Sequence, residues 1–318
     1  MIDTAGLYPL VVIIGPTAVG KSKVGVLAAK MLDGEIVSAD SMLIYRGLDI
    51  GTAKPKRTEM CGIPHHMIDL IEPDQEYSVA LYQAQARNVI ADIHRRKKLP
   101  ILVGGSGLYI DSVIKNYSFS GTGRNKPLRE LLSAEVFKTG TAGLYKKLSE
   151  IDPDAAAKIR PGDARRIIRA LEVYSLTGMP ISRHHNRDEE RNQYALLIFG
   201  LCMDRKKLYR TIEQRVEAML RDGLVDEVRR LLQKGYNTDL NSMRGLGYKE
   251  IASYLKGETT FDEAVEILKK NTRRFAKRQM TWFRRYSKIK WFDIDKCGGH
   301  EAVAQEISRH VEGVFQGL

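Results

Sequence analysis

Apolar positions along the chain fall into two rhythms. Short, largely apolar runs appear at residues 10–14, 35–39 and 100–103, bounded by Gly, Pro or Asp and too brief for helices, as strands buried on both faces would be. Between them, residues 21–31 and 78–96 return an apolar side chain every third or fourth position, and Ser78 is placed to cap the second of these helices. Strand alternating with helix predicts βαβ units and a parallel sheet. Loops at the carboxyl ends of such strands open onto one crevice, so residues 15–22, Asp40 with Ser41, and residues 104–107 are expected to share an edge.

The pattern changes near residue 117. A Gly/Ser/Asn-rich entry (118–126) leads into short helical stretches and a polar exit (183–190). The last of these helices, 163–177, should end at Gly178 with Pro180 beyond it, as a left-handed cap followed by a stop. The expected division is therefore a first core part at 1–116, a helical insertion at 117–193 and core completion at 194–318. That last part carries a strand near 194–200, long helices, and a terminal strand and helix at 289–294 and 301–315.

Composition bears on partners more than on fold. At 318 residues and 43% apolar, the chain supports one large core and a smaller attached unit. Lys and Arg number 51 against 39 Asp and Glu, a net +12, which favours a polyanionic partner. The excess is concentrated: residues 268–290 hold ten Lys or Arg and no acid. There Ala264, Val265, Leu268, Thr272, Phe275 and Gln279 form one helical stripe, while Lys269, Arg273 and Lys277, with Lys270, Arg274 and Arg278, recur every fourth residue beside it. Cations at that spacing suit a nucleic-acid backbone. Arg165, Arg166 and Arg169 make a second cationic patch, backed by Ile167, Ile168, Leu171 and Tyr174, and the bland alternative is a salt-bridge network with Asp163, Glu172 and Arg129. Cys61, Cys202 and Cys297 are isolated, so neither disulfides nor a zinc site is indicated. With no leader pattern and no apolar run long enough for a bilayer, a soluble, cytoplasmic protein without membrane contact is expected; a monomer is a separate expectation, on which these features do not bear.

The chemistry begins at Gly15, Pro16, Thr17, Ala18, Val19, Gly20, Lys21 and Ser22, which fill the pattern G-x-x-x-x-G-K-[ST] between a strand and a helix. Backbone N–H groups and the helix start cradle linked phosphates, Lys21 adds a charge, and Ser22 offers a hydroxyl to Mg2+. The predicted class is thus α/β, a P-loop NTPase-like parallel sheet flanked by helices, with a helical insertion domain. The pattern alone does not separate ATP from a simple diphosphate ester. Asp40 is expected across the crevice from this loop, either holding magnesium through water or accepting a proton, with the capping of the next turn through Ser41 as the bland alternative. The strand at 100–103 ends in Gly104-Gly105, where a nucleotidase carries a magnesium-holding acid. A metabolite kinase and an RNA-binding nucleotide switch are the rival readings.

Taken together, Gly15 to Ser22, Ser38-Ala-Asp-Ser-Met-Leu-Ile-Tyr-Arg-Gly-Leu-Asp-Ile-Gly-Thr-Ala-Lys-Pro55, Pro64-His-His66, Gly104-Gly-Ser-Gly-Leu-Tyr109, Arg166-Ile-Ile-Arg-Ala-Leu-Glu-Val173, Arg244-Gly-Leu-Gly-Tyr-Lys249 and Ala276-Lys-Arg-Gln-Met-Thr-Trp282 resemble the tRNA dimethylallyltransferases, in their bacterial type. The resemblance implies transfer of a dimethylallyl group from dimethylallyl diphosphate to N6 of the adenine just 3′ of the anticodon (position 37), with Mg2+ as cofactor. It implies Asp40 as general base, Thr17 near the bridging oxygen of the ester, and Arg205 on the diphosphate. For the tRNA anticodon stem-loop it implies Asp40, Ser41, Met42 and Leu43, then Ser106 and Arg129, then Arg165, Arg166, Ile167, Ile168 and Arg169. Further along it implies Arg244, Gly245, Leu246, Gly247, Tyr248 and Lys249, and finally Lys277, Arg278, Gln279, Thr281, Trp282 and Arg284. Leu43 stands where many relatives carry Gln.

Overall fold

The computed structural model describes residues 7–115, 117, 123, 125–184 and 193–315, so most of the polar entry and exit of the helical stretch (118–122, 124 and 185–192) lies outside the described residues. The chain forms two compact units, residues 1–114 with 192–318, and residues 115–191.

The larger unit opens with β1 (Tyr8–Ile14), α1 (Lys21–Met31) and β2 (Gly34–Ala39), then α2 (Arg57–Met60), β3 (His65–His66), α3 (Val79–Arg95), β4 (Leu99–Gly104) and α4 (Gly107–Ile114). The smaller unit contains α5 (Lys126–Thr139), α6 (Ala142–Ile151), α7 (Pro153–Ala156), α8 (Ala164–Thr177) and α9 (Ile181–His184). The larger unit resumes with β5 (Tyr194–Cys202), α10 (Arg205–Arg221), α11 (Leu224–Gln233), α12 (Tyr248–Leu255), α13 (Phe261–Phe283), β6 (Ile289–Asp293) and α14 (His300–Phe315).

Six parallel strands lie in the order β3-β2-β4-β1-β5-β6. The central strand β1 is buried from Leu10 to Ile14, so its apolar run faces a helix layer on each side. One layer joins α1, α10 and α14 through Val24, Ala28, Ile212, Val303 and Ile307. The other brings α3, α4 and the end of α13 onto the sheet through Tyr82, Ala86, Ile90, Ile110 and Phe283. A third cluster fastens the long loop after β2 (Ile44, Tyr45, Leu48) to α11, α12 and α13 through Val228, Tyr248, Ile251 and Leu268. Register fixes the functional edge: Ala39 and Ile14 both pair with Gly104, and Ile14 also pairs with Gly200. The residues that follow, Gly15, Asp40 and Gly105, therefore leave the sheet side by side.

The two-residue β3 escapes any periodicity reading because it is polar and shorter than one alternation. In the smaller unit, α8 starts after Asp163, whose side chain accepts the Arg166 N–H, and ends at Gly178 in the left-handed conformation (φ 69°). That unit has its own core, built from Leu132, Leu144, Leu148, Ile167, Ile168 and Leu171.

Candidate active site

Beyond Ile14 the backbone turns tightly, with Ala18 at φ 66° and Gly20 at φ 91°, before α1 begins at Lys21. Gly20 has no room for a side chain, because the His300 imidazole at the start of α14 covers it and contacts the Val19 carbonyl (3.3 Å). Lys21 folds back over its own loop, Nζ donating to the Pro16 carbonyl at 2.7 Å. Ser22 is exposed on the first turn of α1. The Thr17 N–H donates to Gln279 Oε1 at 2.7 Å, tying the loop to α13.

Asp40 is partly buried at the neighbouring strand end. Its Oδ1 accepts the Met42 N–H at 2.9 Å, which orients the carboxylate and leaves Oδ2 available. The same turn is anchored by Ser106, whose Oγ accepts the Ser41 N–H (2.9 Å) and whose N–H donates to the Ala39 carbonyl (3.1 Å). Below it, the buried Tyr82 and Tyr109 rings stack with centroids 4.0 Å apart, and Tyr82 donates to the Ser38 carbonyl at 2.9 Å.

Charges converge here. Burial pushes the Lys21 ammonium down to about 7, with Asp40 opposing that shift and Arg215 adding to it. Arg215, on α10, is itself lowered by burial, against the pull of Asp40 and Glu59. The charge of Asp40 thus reaches both Lys21 and Arg215, and that of Arg215 reaches Lys21, an arrangement suited to a polyanionic guest beside a carboxylate. Arg215 was not among the residues expected here. Its signal in the sequence is slight: a cation next to Ile212 and Val216, on the edge of the buried stripe of α10.

Arg205, expected on the diphosphate, lies exposed on the first turn of α10. Its Nε donates to Tyr209 OH at 3.1 Å, and its guanidinium sits 5.2 Å from that ring's centre. The arginine whose charge reaches Lys21 and Asp40 is Arg215.

The basic helix α13 divides its charges between two tasks. Lys269 donates to Glu217 (3.1 Å) and Arg273 to Glu213 (2.6 Å), both on α10, so two of the six cations expected to meet a nucleic acid are spent on helix pairing. Lys270, Arg274, Lys277, Arg278, Thr281, Arg284 and Arg285 are exposed. Gln279, expected at the RNA, instead points inward and is 5% exposed. Trp282 is partly buried against Gly107, with the Arg285 guanidinium 4.1 Å from its ring centre.

The segment 244–249 also serves the interior. Arg244 and Lys249 are exposed, but Gly245, Gly247 and Tyr248 are buried. Tyr248 OH donates to Glu227 Oε1 (2.6 Å), and the same buried carboxylate accepts the N–H groups of Asp49, Ile50 and Gly51. Gly245 is where the partly buried Met42 packs, since a Cβ there would come 2.5 Å from the Met42 methyl. Leu43 is likewise only partly buried. The segment thereby braces the loop that follows Asp40.

In the smaller unit, Ile167 (0% exposed) and Ile168 (9%) are core residues, so their side chains build the helix seat and are not offered to RNA. Arg129 and Arg169 both donate to the buried Glu172 (2.8 and 2.6 Å), as in the salt-bridge alternative. Burial pushes the Glu172 carboxyl up, but the hydrogen bonds from Arg129, Arg169 and the Asn125 N–H outweigh it and hold the group down at about 2. Arg165 and Arg166 remain exposed. Among the described residues no helix is long and apolar enough to cross a membrane.

The family described as IPP transferase matches residues 43–286, a stretch beginning three residues after Asp40. The chain is 58% identical to the tRNA dimethylallyltransferase of Pelotomaculum thermopropionicum across 96% of its own length and 98% of the relative's. It is 53% identical to the tRNA dimethylallyltransferase of Desulforudis audaxviator across the same shares, 96% and 98%. Among solved structures it is similar to the full-length tRNA isopentenylpyrophosphate transferase of Bacillus halodurans, with TM-score 0.70 and 44% identity over 96% of each chain. It is also similar to a eukaryotic dimethylallyltransferase captured acting on tRNA, with TM-score 0.78 and 29% identity over 90% of this chain and 74% of the other.

Proposed function

Because this chain belongs to the IPP transferase family, we propose that it transfers a dimethylallyl group from dimethylallyl diphosphate to N6 of the adenine immediately 3′ of the tRNA anticodon, releasing diphosphate. The observation that carries this reading is the shared sheet edge, where the phosphate loop, Asp40 and Arg215 influence one another electrostatically. Loop N–H groups, Lys21 and Arg215 grip the diphosphate, and the Thr17 hydroxyl lies near the bridging oxygen. As the carbon–oxygen bond of the ester breaks, its electron pair leaves with the diphosphate, where these donors stabilise the growing charge. The N6 lone pair forms the new bond to carbon, and the displaced amine proton passes to Asp40 Oδ2. The adenine reaches Asp40 only after leaving the anticodon-loop stack.

Mg2+ fits the residues present. The loop offers only hydroxyls, the exposed Ser22 and the partly buried Thr17, and no group of three or more His, Cys, Asp or Glu able to hold a metal occurs among the described residues. That suits an ion held mainly by phosphate oxygens and water, and it would not suit zinc. When bound, the ion neutralises diphosphate charge. The exposed cations of α13 (Lys270, Arg274, Lys277, Arg278, Arg284, Arg285), with Arg165 and Arg166, meet tRNA phosphates, and such a substrate places the reaction in the cytoplasm.

The test is a choice of donor. The protein is given unmodified tRNA, Mg2+ and either prenyl-labelled dimethylallyl diphosphate or γ-labelled ATP. The prenyl label enters the RNA on this reading, and phosphate entering the RNA or a metabolite would overturn it in favour of a kinase.

A further inference from the structure

Helix α13 offers cations to solvent and, at Gln279, a buried amide to the interior. Gln279 is 5% exposed and uses both ends of that amide: Oε1 accepts the Thr17 N–H at 2.7 Å, and Nε2 donates to the Gly105 carbonyl at 3.0 Å. Ala276 and Phe283, one turn to either side, are 1% and 0% exposed and seat the helix in the clusters on opposite faces of the sheet. The fit leaves no slack, since a Cβ on Gly105 would overlap the Gln279 amide and one on Gly107 would overlap the Trp282 indole.

The two partners of Gln279 lead to the two halves of the site. Thr17 belongs to the phosphate loop. Gly105 precedes Ser106, whose Oγ holds the Ser41 N–H next to Asp40. A continuous path, Thr17 to Gln279 to Gly105 and Ser106 to Ser41 and Asp40, therefore joins the cradle for the leaving group to the turn bearing the base. Only a group carrying one acceptor and one donor in a plane makes this join.

We propose that Gln279 is a positioning residue: it sets the spacing between the phosphate loop at Thr17 and the Asp40 turn, and it ties that spacing to the helix whose outer face meets RNA. This rests on the reading of the site as a diphosphate cradle facing a base. Gln279 touches neither substrate and acts through the Thr17 and Gly105 backbone. Displacement of reacting groups by about 1 Å costs on the order of a hundredfold in rate.

The experiment compares full-length wild type with Gln279→Met, which keeps length and packing but loses both bonds, and Gln279→Glu. Inorganic diphosphate affinity, tRNA affinity with its salt dependence, and single-turnover transfer are measured for each. Gln279→Met is expected to lower transfer by about ten- to a hundredfold and weaken diphosphate binding, leaving tRNA affinity and its salt slope unchanged. Gln279→Glu, isosteric with Gln when protonated, is expected to recover relative to wild type as pH falls from about 8 to about 6, as burial raises a carboxyl pKa. Transfer by Gln279→Met within twofold of wild type, a loss confined to tRNA affinity, or no pH-dependent recovery by Gln279→Glu would each overturn the proposal. A wild-type protein that binds no diphosphate would instead overturn the reading of the site.

Discussion

Asp40 holds the Met42 N–H with Oδ1, and on the proposed reading its Oδ2 takes the proton of the adenine amine. Asp40→Asn keeps an acceptor for that N–H and removes the base, so it separates architecture from proton transfer. Turnover is expected to fall by about two to four orders of magnitude while tRNA binding holds. Single-turnover kinetics and filter binding measure the two, and turnover within a few-fold of wild type would remove Asp40 from the chemistry. Lys21 supplies a pH signature. Burial holds it at about 7 in the ligand-free protein, so at pH near 8 it is mostly neutral, and an arriving polyanion favours its charged form. Diphosphate binding is therefore expected to take up a proton near pH 8 and to weaken as pH rises above about 7. Calorimetry in buffers of different ionisation enthalpy reads this uptake, and Lys21→Met should abolish it.

Among the elements, α13 shows why a charge run in a sequence is not a binding face until its neighbours are known. Lys269 and Arg273 satisfy Glu217 and Glu213, carboxylates more than fifty positions away on α10, whereas Arg274 and Arg278 remain exposed. Replacing Arg274 and Arg278 with Ala should weaken tRNA binding and lower its salt slope by about one per cation, with diphosphate affinity unaltered. Replacing Lys269 and Arg273 should leave the slope unchanged and cost at most about 1 kcal/mol of stability per pair. Equal salt slopes for the two double variants would contradict the assigned face. The strands and long helices were legible because their periodicities are local. The partners of Lys269, the inward turn of Gln279 and the strand His65–His66 were not, since each depends on residues distant in sequence or on an element too short to have a period.

For the whole molecule, legibility followed function unevenly. The phosphate loop and Asp40 stood out because one sits in a spaced motif and the other ends a buried strand. Arg215 did not, because a single arginine on an amphipathic helix looks like surface charge until folding brings it within electrostatic reach of Lys21. Motif residues such as Tyr248 and Ile167 proved to be interior: Tyr248 braces the loop after Asp40 through Glu227, and Ile167 fills the core of the smaller unit. What unites these parts is one sheet edge, which on the proposed reading holds a departing diphosphate and faces it with a base. The most direct measurement is made on tRNA after incubation with the protein, Mg2+ and dimethylallyl diphosphate, by nucleoside mass analysis with release of diphosphate followed in parallel. The account predicts a dimethylallyl group on the adenine immediately 3′ of the anticodon and diphosphate in equal amount. Unmodified adenine there, or diphosphate released without a modified base, would contradict it.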